Sequence, residues 1–270
     1  MLRTKLEKQI CALVLACVAL AGGCTGGSES QTTQDRAEPA PADAPRSTSD
    51  VPAATPAPAG SSRITGTVRY EGQVPPKRTL KMDADPGCAK KHNEPVSSEV
   101  LVLGPDQALA NVFVMVKSGL PGGTYRTPQE PAVIDQNGCR YVPHVLGVMT
   151  GQTVKILNSD GLLHNVHALP KINKTFNTAM PATRTEAEVT FPEEERFKIK
   201  CDVHPWMGAW VSVVSHPFFD VTGEDGRFDL EGLPAGSYEV EIWHEKLGSQ
   251  TATARLAENA SAELEFTMSR

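Results

Sequence analysis

Residues 197–214 read FKIKCDVHPWMGAWVSVV. Every second residue from Phe197 to Cys201 is apolar or a cysteine, which is the period of a strand with one buried face. The valines at 211, 213 and 214 predict a second strand. The stretch therefore predicts two strands joined by a short loop. Cys201 points inward at the very end of the first strand, and His204 and Met207 fall in the loop.

The loop carries an unusual mixture of side chains. Cys201, His204 and Met207 place a thiolate, an imidazole and a thioether within seven residues. Soft sulfur ligands suit Cu(I), imidazole accepts Cu(II), and two His with one Cys and a weak axial Met form the blue-copper arrangement. A second histidine must come from elsewhere, and residues 158–167 (NSDGLLHNVH), after an apolar strand, are the obvious source. The sequence thus predicts a single copper ion as cofactor.

At these two segments the chain resembles the cupredoxins of the amicyanin and plastocyanin type. Their copper loop reads Cys-x₂-His-x₂-Met, and their upstream ligand lies in a Pro-His-Asn-Val-His run, where this chain has Leu163 in place of Pro. The resemblance implies a type 1 copper site. His164 is then the upstream ligand, Cys201 the thiolate, His204 the partly exposed imidazole and Met207 the axial sulfur.

The same resemblance gives roles to neighbouring residues. Asn165 is expected to fix the ligand loops through hydrogen bonds behind the metal. The ring edge of His204, next to Pro205 and Trp206, is expected to reach the surface and to serve as the electron portal.

Two alternatives for the ligands stay open. His167 competes with His164, although three residues further along a strand its side chain should point to the opposite face. Met207 could belong only to the core, with Met180 or a backbone oxygen at the axial position.

The N-terminus has the pattern of an export signal. Positive charges at Arg3, Lys5 and Lys8 precede an apolar run of about a dozen residues, too short to span a bilayer. The following Leu20-Ala-Gly-Gly-Cys24 resembles the lipobox of bacterial lipoproteins, although an ordinary cleaved signal is the alternative. This predicts a signal peptide over 1–23, a lipid on Cys24 that anchors the protein to a bacterial membrane, and a periplasmic or cell-surface location.

Cysteine counting concerns the exported part of the chain. Cys88, Cys139 and Cys201 remain there, and an odd number in an oxidising compartment requires a reason for one thiol to stay free. Metal binding by Cys201 supplies that reason, so Cys88 and Cys139 are the better disulfide pair. A second metal site built from these two cysteines with His92 and His144 fits no recognised ligand spacing.

The fold class predicted is all-β: a cupredoxin-like Greek-key β-sandwich plus a second small β-sandwich module. The sequence predicts a disordered Pro/Ala-rich tether over residues 24–62. It predicts the copper domain, with an N-terminal extension, over 63–215 and the second module over 216–270. GEDGRFDLEGLPAGSYEVEIWHE (223–245) resembles the closing half of a carboxypeptidase-regulatory-like sandwich, and ITGTVRYEG (64–72) resembles its opening strand. The copper-binding part could therefore be inserted between two halves of that module, or follow it in tandem.

Three classes of function are weighed. A redox carrier between a periplasmic dehydrogenase and a c-type cytochrome comes first, and a copper-buffering lipoprotein is the alternative. A copper enzyme is disfavoured, because Lys200 and Asp202 flank Cys201 where such enzymes place histidines, and no His-x-His pair exists. The net charge of −6 argues against nucleic acid as a partner.

Overall fold

The computed structural model describes residues 59–270. The predicted signal peptide, Cys24 and most of the predicted tether lie outside the described residues. Signal cleavage, the lipid anchor and the location outside the cytoplasm therefore stay predictions.

Strands make up nearly all of the regular structure in the described part of the chain. One short helix, α1 (Pro86–Ala89), and two 3₁₀ turns (Met82–Ala84 and Pro105–Gln107) are the helical elements there. No helix between residues 59 and 270 is long and apolar enough to cross a membrane. The prediction of an all-β fold is confirmed. The strands are β1 (Ser62–Tyr70), β2 (Phe113–Ser118), β3 (Ala132–Gln136), β4 (Tyr141–Val142), β5 (Val145–Met149), β6 (Thr153–Asn158), β7 (His164–Ala168), β8 (Phe176–Met180), β9 (Glu186–Thr190), β10 (Glu195–Lys200), β11 (Gly208–Val214), β12 (Phe219–Val221), β13 (Arg227–Leu233), β14 (Gly236–His244), β15 (Gly248–Leu256) and β16 (Ser261–Met268).

Two sheets form what we call the first sandwich. Their strand orders are β13-β1-β16 and β12-β2-β14-β15. β1 and β14 alternate buried and less buried residues, as strands do when one face of the sheet packs against a second sheet. Gly66 in β1 lets the Phe228 ring approach the backbone, since a Cβ there would lie 2.5 Å from the ring. The shared core includes Ile64, Val68, Val114, Val116, Phe228, Leu230, Tyr238, Val240, Ile242 and Phe266.

Two further sheets form the second sandwich. Their orders are β5-β11-β10-β7-β8 and β4-β3-β6-β9. β10 and β11 pair in an antiparallel register that runs from Glu195 opposite Val213 to Lys200 opposite Gly208. The loop 201–207 that joins them therefore lies at one end of the sheet. The buried core includes Ile134, Tyr141, Val148, Val154, Ile156, Val166, Phe191, Phe197, Ile199 and Val211.

The sheets do not follow the linear division at residue 215. β1 pairs with β13 and β16, and β2 pairs with β12 and β14, so strands from 63–215 share sheets with strands from 216–270. The division in sequence and the division in space differ for a physical reason. β1 has one buried face, and the sheet that buries this face is completed only when β13 and β16 pair with its two edges. In the sequence, strands β3–β11 of the second sandwich lie between β1–β2 and β12–β16, which are the two parts of the first sandwich.

A segment that we call the cap, residues 78–98, covers one end of the second sandwich. Backbone hydrogen bonds close its base, from Leu80 N–H to Val96 O at 2.8 Å and from Ser98 N–H to Arg78 O at 2.7 Å. α1 lies near its tip and begins at Asp85-Pro86, a capping carboxylate followed by proline at the first helical position. The buried side chains of Met82 and Cys88 join the core of the second sandwich.

Candidate metal centre

Three potential metal-binding side chains meet where the loop 201–207 leaves the second sandwich. The Nδ1 atoms of His164 and His204 lie 2.9 Å apart, and Cys201 Sγ lies 3.8 Å from His204 Nδ1. One donor atom from each of the three residues lies within 4.8 Å of the others. All three side chains are buried, with 0%, 2% and 1% of the residue exposed for His164, Cys201 and His204.

Neighbouring strands bring these residues together. His164 is the first residue of β7, and Cys201 directly follows β10, which pairs with β7. Met207 directly precedes β11. Two backbone hydrogen bonds tighten the loop, from Cys201 N–H to Met207 O at 3.2 Å and from Met207 N–H to His204 O at 2.9 Å.

Each histidine uses its outer nitrogen to bind a carboxylate. His164 Nε2 lies 2.9 Å from Asp160 Oδ2, and His204 Nε2 lies 3.0 Å from Asp85 Oδ2. Donation from Nε2 in both neutral rings leaves both Nδ1 lone pairs facing each other and the Cys201 sulfur. Facing lone pairs repel unless a proton or a cation stands between them. The donor set therefore fits a copper ion, whose histidine ligands are typically oriented by such carboxylates.

The charges around this cluster favour a cation. Burial raises the pKa of Asp160, but hydrogen bonds from His164, Cys139 N–H and Lys91 outweigh it and hold the pKa at about 2. Burial lowers the pKa of His164, yet its contacts with Asp160 and Cys201 raise it to about 9. Burial raises the pKa of the Cys201 thiol, and hydrogen bonds, that from His164 foremost, bring it down to about 7. The cluster therefore favours a positive charge, either a proton or a metal cation, between its donor atoms.

Asn165 connects β7 to the loop 201–207 by hydrogen bonds. Its Oδ1 accepts hydrogen bonds from Asp202 N–H at 2.7 Å, from Val203 N–H at 3.4 Å and from Cys201 Sγ at 3.3 Å. Its Nδ2 donates to Asp202 Oδ2 at 3.1 Å and to Asn177 Oδ1 at 2.6 Å. These bonds connect β7, which begins at His164, to the loop that begins at Cys201. This is the role that the resemblance predicts for Asn165.

Two buried methionines lie near the cluster. Met207 is 2% exposed and lines the same cavity wall as Cys201. Met180 is fully buried in β8 and stands opposite His164 in the strand pairing. The axial role of Met207 stays a prediction, with Met180 as the alternative.

His167 lies on β7 with His164 but has a different environment. Its Nδ1 contacts Asp202 Oδ2 at 3.0 Å, and its side chain is partly exposed. It is absent from the groups of potential ligands formed by residues 59–270. The geometry therefore favours His164 over His167 as the upstream ligand.

Cys88 and Cys139 form a disulfide with an S–S distance of 2.00 Å. Cys201 keeps a free, buried thiol. His92 and His144 bind elsewhere, His92 Nε2 to Gly138 O at 2.8 Å and His144 Nε2 to Glu245 Oε1 at 2.5 Å. The disulfide links Cys88 of the cap covalently to Cys139, between β3 and β4 of the second sandwich.

The predicted surface position of the His204 ring edge is wrong. His204 is buried, because Asp85 of the cap binds its Nε2 and Cys88 Sγ lies 3.6 Å from the same atom. The Trp206 ring also packs against the His204 ring, with centroids 5.0 Å apart. The cap therefore closes the portal that the sequence predicts.

Sequence reasoning missed both carboxylates that orient the histidines. Asp160 stands four residues before His164, and this spacing could have indicated it. Asp85 carries only the local signal of a helix N-cap and is 119 residues from His204 in sequence. Folding of the cap alone brings it to the site.

Comparisons with known proteins give limited similarity. No family model matches the sequence, and no curated protein matches it significantly. Among solved structures, a purple cupredoxin from Nitrosopumilus maritimus is 29% identical over 30% of this chain and 98% of its own, with a TM-score of 0.27. A mutant of amicyanin in the Cu(I) state is 23% identical over 37% of this chain and 97% of its own, with a TM-score of 0.29. These neighbours are cupredoxins.

A Cu-containing nitrite reductase from Thermus scotoductus is also similar, at 19% identity over 36% of this chain and 25% of its own, with a TM-score of 0.29. TM-scores at this level carry no argument about function. The case for a metal therefore rests on the donor atoms described above.

Proposed function

We propose that the protein is an extracytoplasmic type 1 copper protein that shuttles single electrons between redox partners. One copper ion would be held by His164, Cys201 and His204, with Met207 as the axial ligand. The observation that carries this proposal is the meeting of two imidazole Nδ1 atoms and a free thiol in a buried site. When bound, copper supplies a one-electron couple.

The residues around the cluster suit electron transfer because they hold the ligands still. Asp160 and Asp85 fix the two imidazole rings, and Asn165 fixes the loop after Cys201. Ligands that cannot rearrange keep nearly the same geometry in both oxidation states, so little reorganisation accompanies each electron.

A single copper without catalytic activity of its own is part of the proposal. Two further groups of potential ligands occur among residues 59–270, and they include Cys88 or Cys139. Both sulfurs are bonded to each other in the disulfide. This supports a single metal ion, held by the group of His164, Cys201 and His204.

The sequence and the disulfide support the proposed location. A disulfide persists in oxidising compartments, which fits a lipid-anchored protein of the periplasm or cell surface. A c-type cytochrome or a periplasmic dehydrogenase would then exchange electrons with it. Copper buffering is the second candidate, and the covered His204 favours it, since a closed site slows exchange of both metal and electrons.

Visible absorption of the chain from residue 25 onward, with Cu(II) added, tests the proposal. We expect an intense blue thiolate-to-copper band and a reversible one-electron couple. The Cys201→Ser variant should lose the band, whereas His167→Ala should keep it. A wild-type protein that binds Cu(II) without this band would contradict the type 1 site. The band together with an irreversible couple and very tight Cu(I) binding would favour buffering.

A further inference from the structure

A cavity of about 390 Å³ opens between the base of the cap and the first sandwich, and none of the four proposed copper ligands lines it. Backbone hydrogen bonds fix two of its wall segments. Ser98 N–H donates to Arg78 O at 2.7 Å, and Ala110 N–H donates to Val102 O at 3.1 Å. The cavity is therefore formed by the fold before any ligand arrives, as small-molecule sites commonly are.

Apolar side chains form much of the wall of this cavity. Leu101 and Leu103 pack against the core of the first sandwich but are only partly buried. Val74 is 54% exposed. The other apolar residues of the wall are Pro75, Pro76, Val100 and Val102. The hydrophobic effect favours an apolar group that covers this surface.

Positively charged side chains stand around the apolar wall, and we call the whole the cationic cavity. The four cations are Lys77, Arg78, Lys246 and Arg270, against one acidic side chain, Glu224. Among residues 59–270 no carboxylate forms an ion pair with any of the four. The wall thus carries a surplus of positive charge on a chain whose net charge is −6. A terminal carboxylate at Arg270 would reduce this surplus without cancelling it.

Two acidic residues that neighbour the wall in sequence do not line the cationic cavity. Glu99 lines a different cavity, beside the loop 201–207, and approaches Arg140 at 3.5 Å. Glu245 lines that same second cavity and contacts His144 at 2.5 Å. Both carboxylates are therefore engaged by other cations, and the surplus charge of the cationic cavity remains.

We infer that the cationic cavity binds a small amphipathic anion, a molecule with an acidic head on a hydrocarbon body. The four cations hold the head, because cations without carboxylate partners attract an anion. The apolar wall covers the body. The inference goes beyond the proposed function and is independent of it, since no proposed copper ligand takes part.

NMR titration of the ¹⁵N-labelled chain from residue 25 onward tests the inference with three probes, each kept below its micelle concentration. Decanoate has an acidic head and a hydrocarbon chain, decyltrimethylammonium has a similar chain with the opposite charge, and acetate has the acidic head alone. Decanoate should shift the backbone signals of residues 100–103 and Lys246 until they saturate. Its Kd should be lower than that of either other probe by about tenfold or more.

Each other outcome of this titration overturns the inference. Equal Kd values for decanoate and decyltrimethylammonium would show adsorption to an apolar surface without recognition of charge. Equal Kd values for decanoate and acetate would show an anion site without recognition of a hydrocarbon body. Shifts that do not saturate, or that miss residues 100–103, would show that the cavity binds no such ligand. This comparison uses the wild-type chain and so needs no variant to fold.

A matched pair of double variants tests the charges. Arg78→Gln with Lys246→Gln removes two cations from the cavity, and Arg255→Gln with Lys174→Gln removes two exposed cations that do not line it. Both proteins lose the same net charge. The first should raise the Kd for decanoate by roughly tenfold at low salt, and the second should leave it within about twofold. Equal effects of the two double variants would overturn the role of the cavity cations.

A second matched pair tests the apolar wall. Val74→Ser replaces an apolar side chain of the cavity, and Ile172→Ser replaces one that is 67% exposed and does not line the cavity. Val74→Ser should raise the Kd for decanoate by about threefold and leave the Kd for acetate unchanged, because acetate has no chain to cover. Ile172→Ser should change neither value. An unchanged Kd for decanoate in Val74→Ser would contradict the apolar contact and with it the inference.

Discussion

His164 Nδ1 and His204 Nδ1 lie 2.9 Å apart, although 40 residues separate them in the sequence. The two rings meet edge to face, with centroids 4.8 Å apart. Each ring is held from behind by a carboxylate, so the two Nδ1 atoms face each other before any metal arrives. Because the site is preorganised in this way, ordering its ligands costs little free energy when copper binds.

Replacing Asp160 tests whether its carboxylate preorganises the His164 ring. Asp160→Asn should weaken Cu(II) binding by about 10–100-fold, because it removes the charge that orients His164. Competition with a copper chelator measures the change. Asp83→Asn, an exposed residue of the cap, is the matched control and should bind as the wild type does. Equal affinity in the two variants would show that Asp160 does not orient the ligand.

Asn165 should matter for stability as well as for the site. Asn165→Ala leaves the N–H groups of Asp202 and Val203 without their acceptor, so we expect a loss of about 1–3 kcal/mol in the free energy of unfolding. Urea unfolding of the metal-free protein measures it. Asn177→Ala removes an exposed side chain that also contacts Asp202, and should cost at most about 0.5 kcal/mol. The prediction fails if the two variants are equally stable.

The disulfide should stabilise the fold by restricting the unfolded chain. Cys88 and Cys139 are 51 residues apart in sequence, so the double variant Cys88→Ser, Cys139→Ser should lose about 2–4 kcal/mol of unfolding free energy. Urea unfolding of the metal-free protein provides the measurement. A reducing agent should destabilise the wild type and leave the double variant unchanged. An identical response of both proteins to the reductant would argue against this role.

Glu195 should make stability depend on pH. Its carboxylate accepts backbone N–H groups of Lys171, Ile172 and Asn173. Burial raises the pKa of Glu195, and these hydrogen bonds outweigh it and lower the pKa from its ordinary 4.5. The folded state thus prefers the charged form. Its contribution is complete above pH 4.5 and is lost as the pH falls below it, through the lower folded pKa.

Thermal unfolding across this pH range provides the measurement. The melting temperature of Glu195→Gln should lie below that of the wild type at pH 7, and the gap should shrink as the pH falls below 4.5. Glu193→Gln alters an exposed neighbouring side chain and should show no such gap. A gap for Glu195→Gln that stays constant down to pH 2 would rule out the carboxylate as its cause.

Several strands could be predicted from local patterns in the sequence. Alternation in residues 64–70 and 197–201 predicted β1 and β10, because burial of every second side chain is a property of each strand alone. The spacing of Cys201, His204 and Met207 placed them in one loop for the same reason. The pairing of β1 with β13 and β16 could not be read in this way, since it joins segments about 160 or more residues apart through shared burial.

The sequence by itself determined the chemistry of the candidate site: one cysteine at a strand end, one histidine after an upstream strand, a second histidine within the loop, and a methionine closing that loop. Only the tertiary structure decided how that site meets its surroundings. Asp85 and Cys88 reach His204 because the cap folds back over it and the disulfide holds the cap there. The types of ligand can be predicted from short stretches of sequence. The exposure of those ligands to solvent and to partners depends on distant segments that meet only after folding.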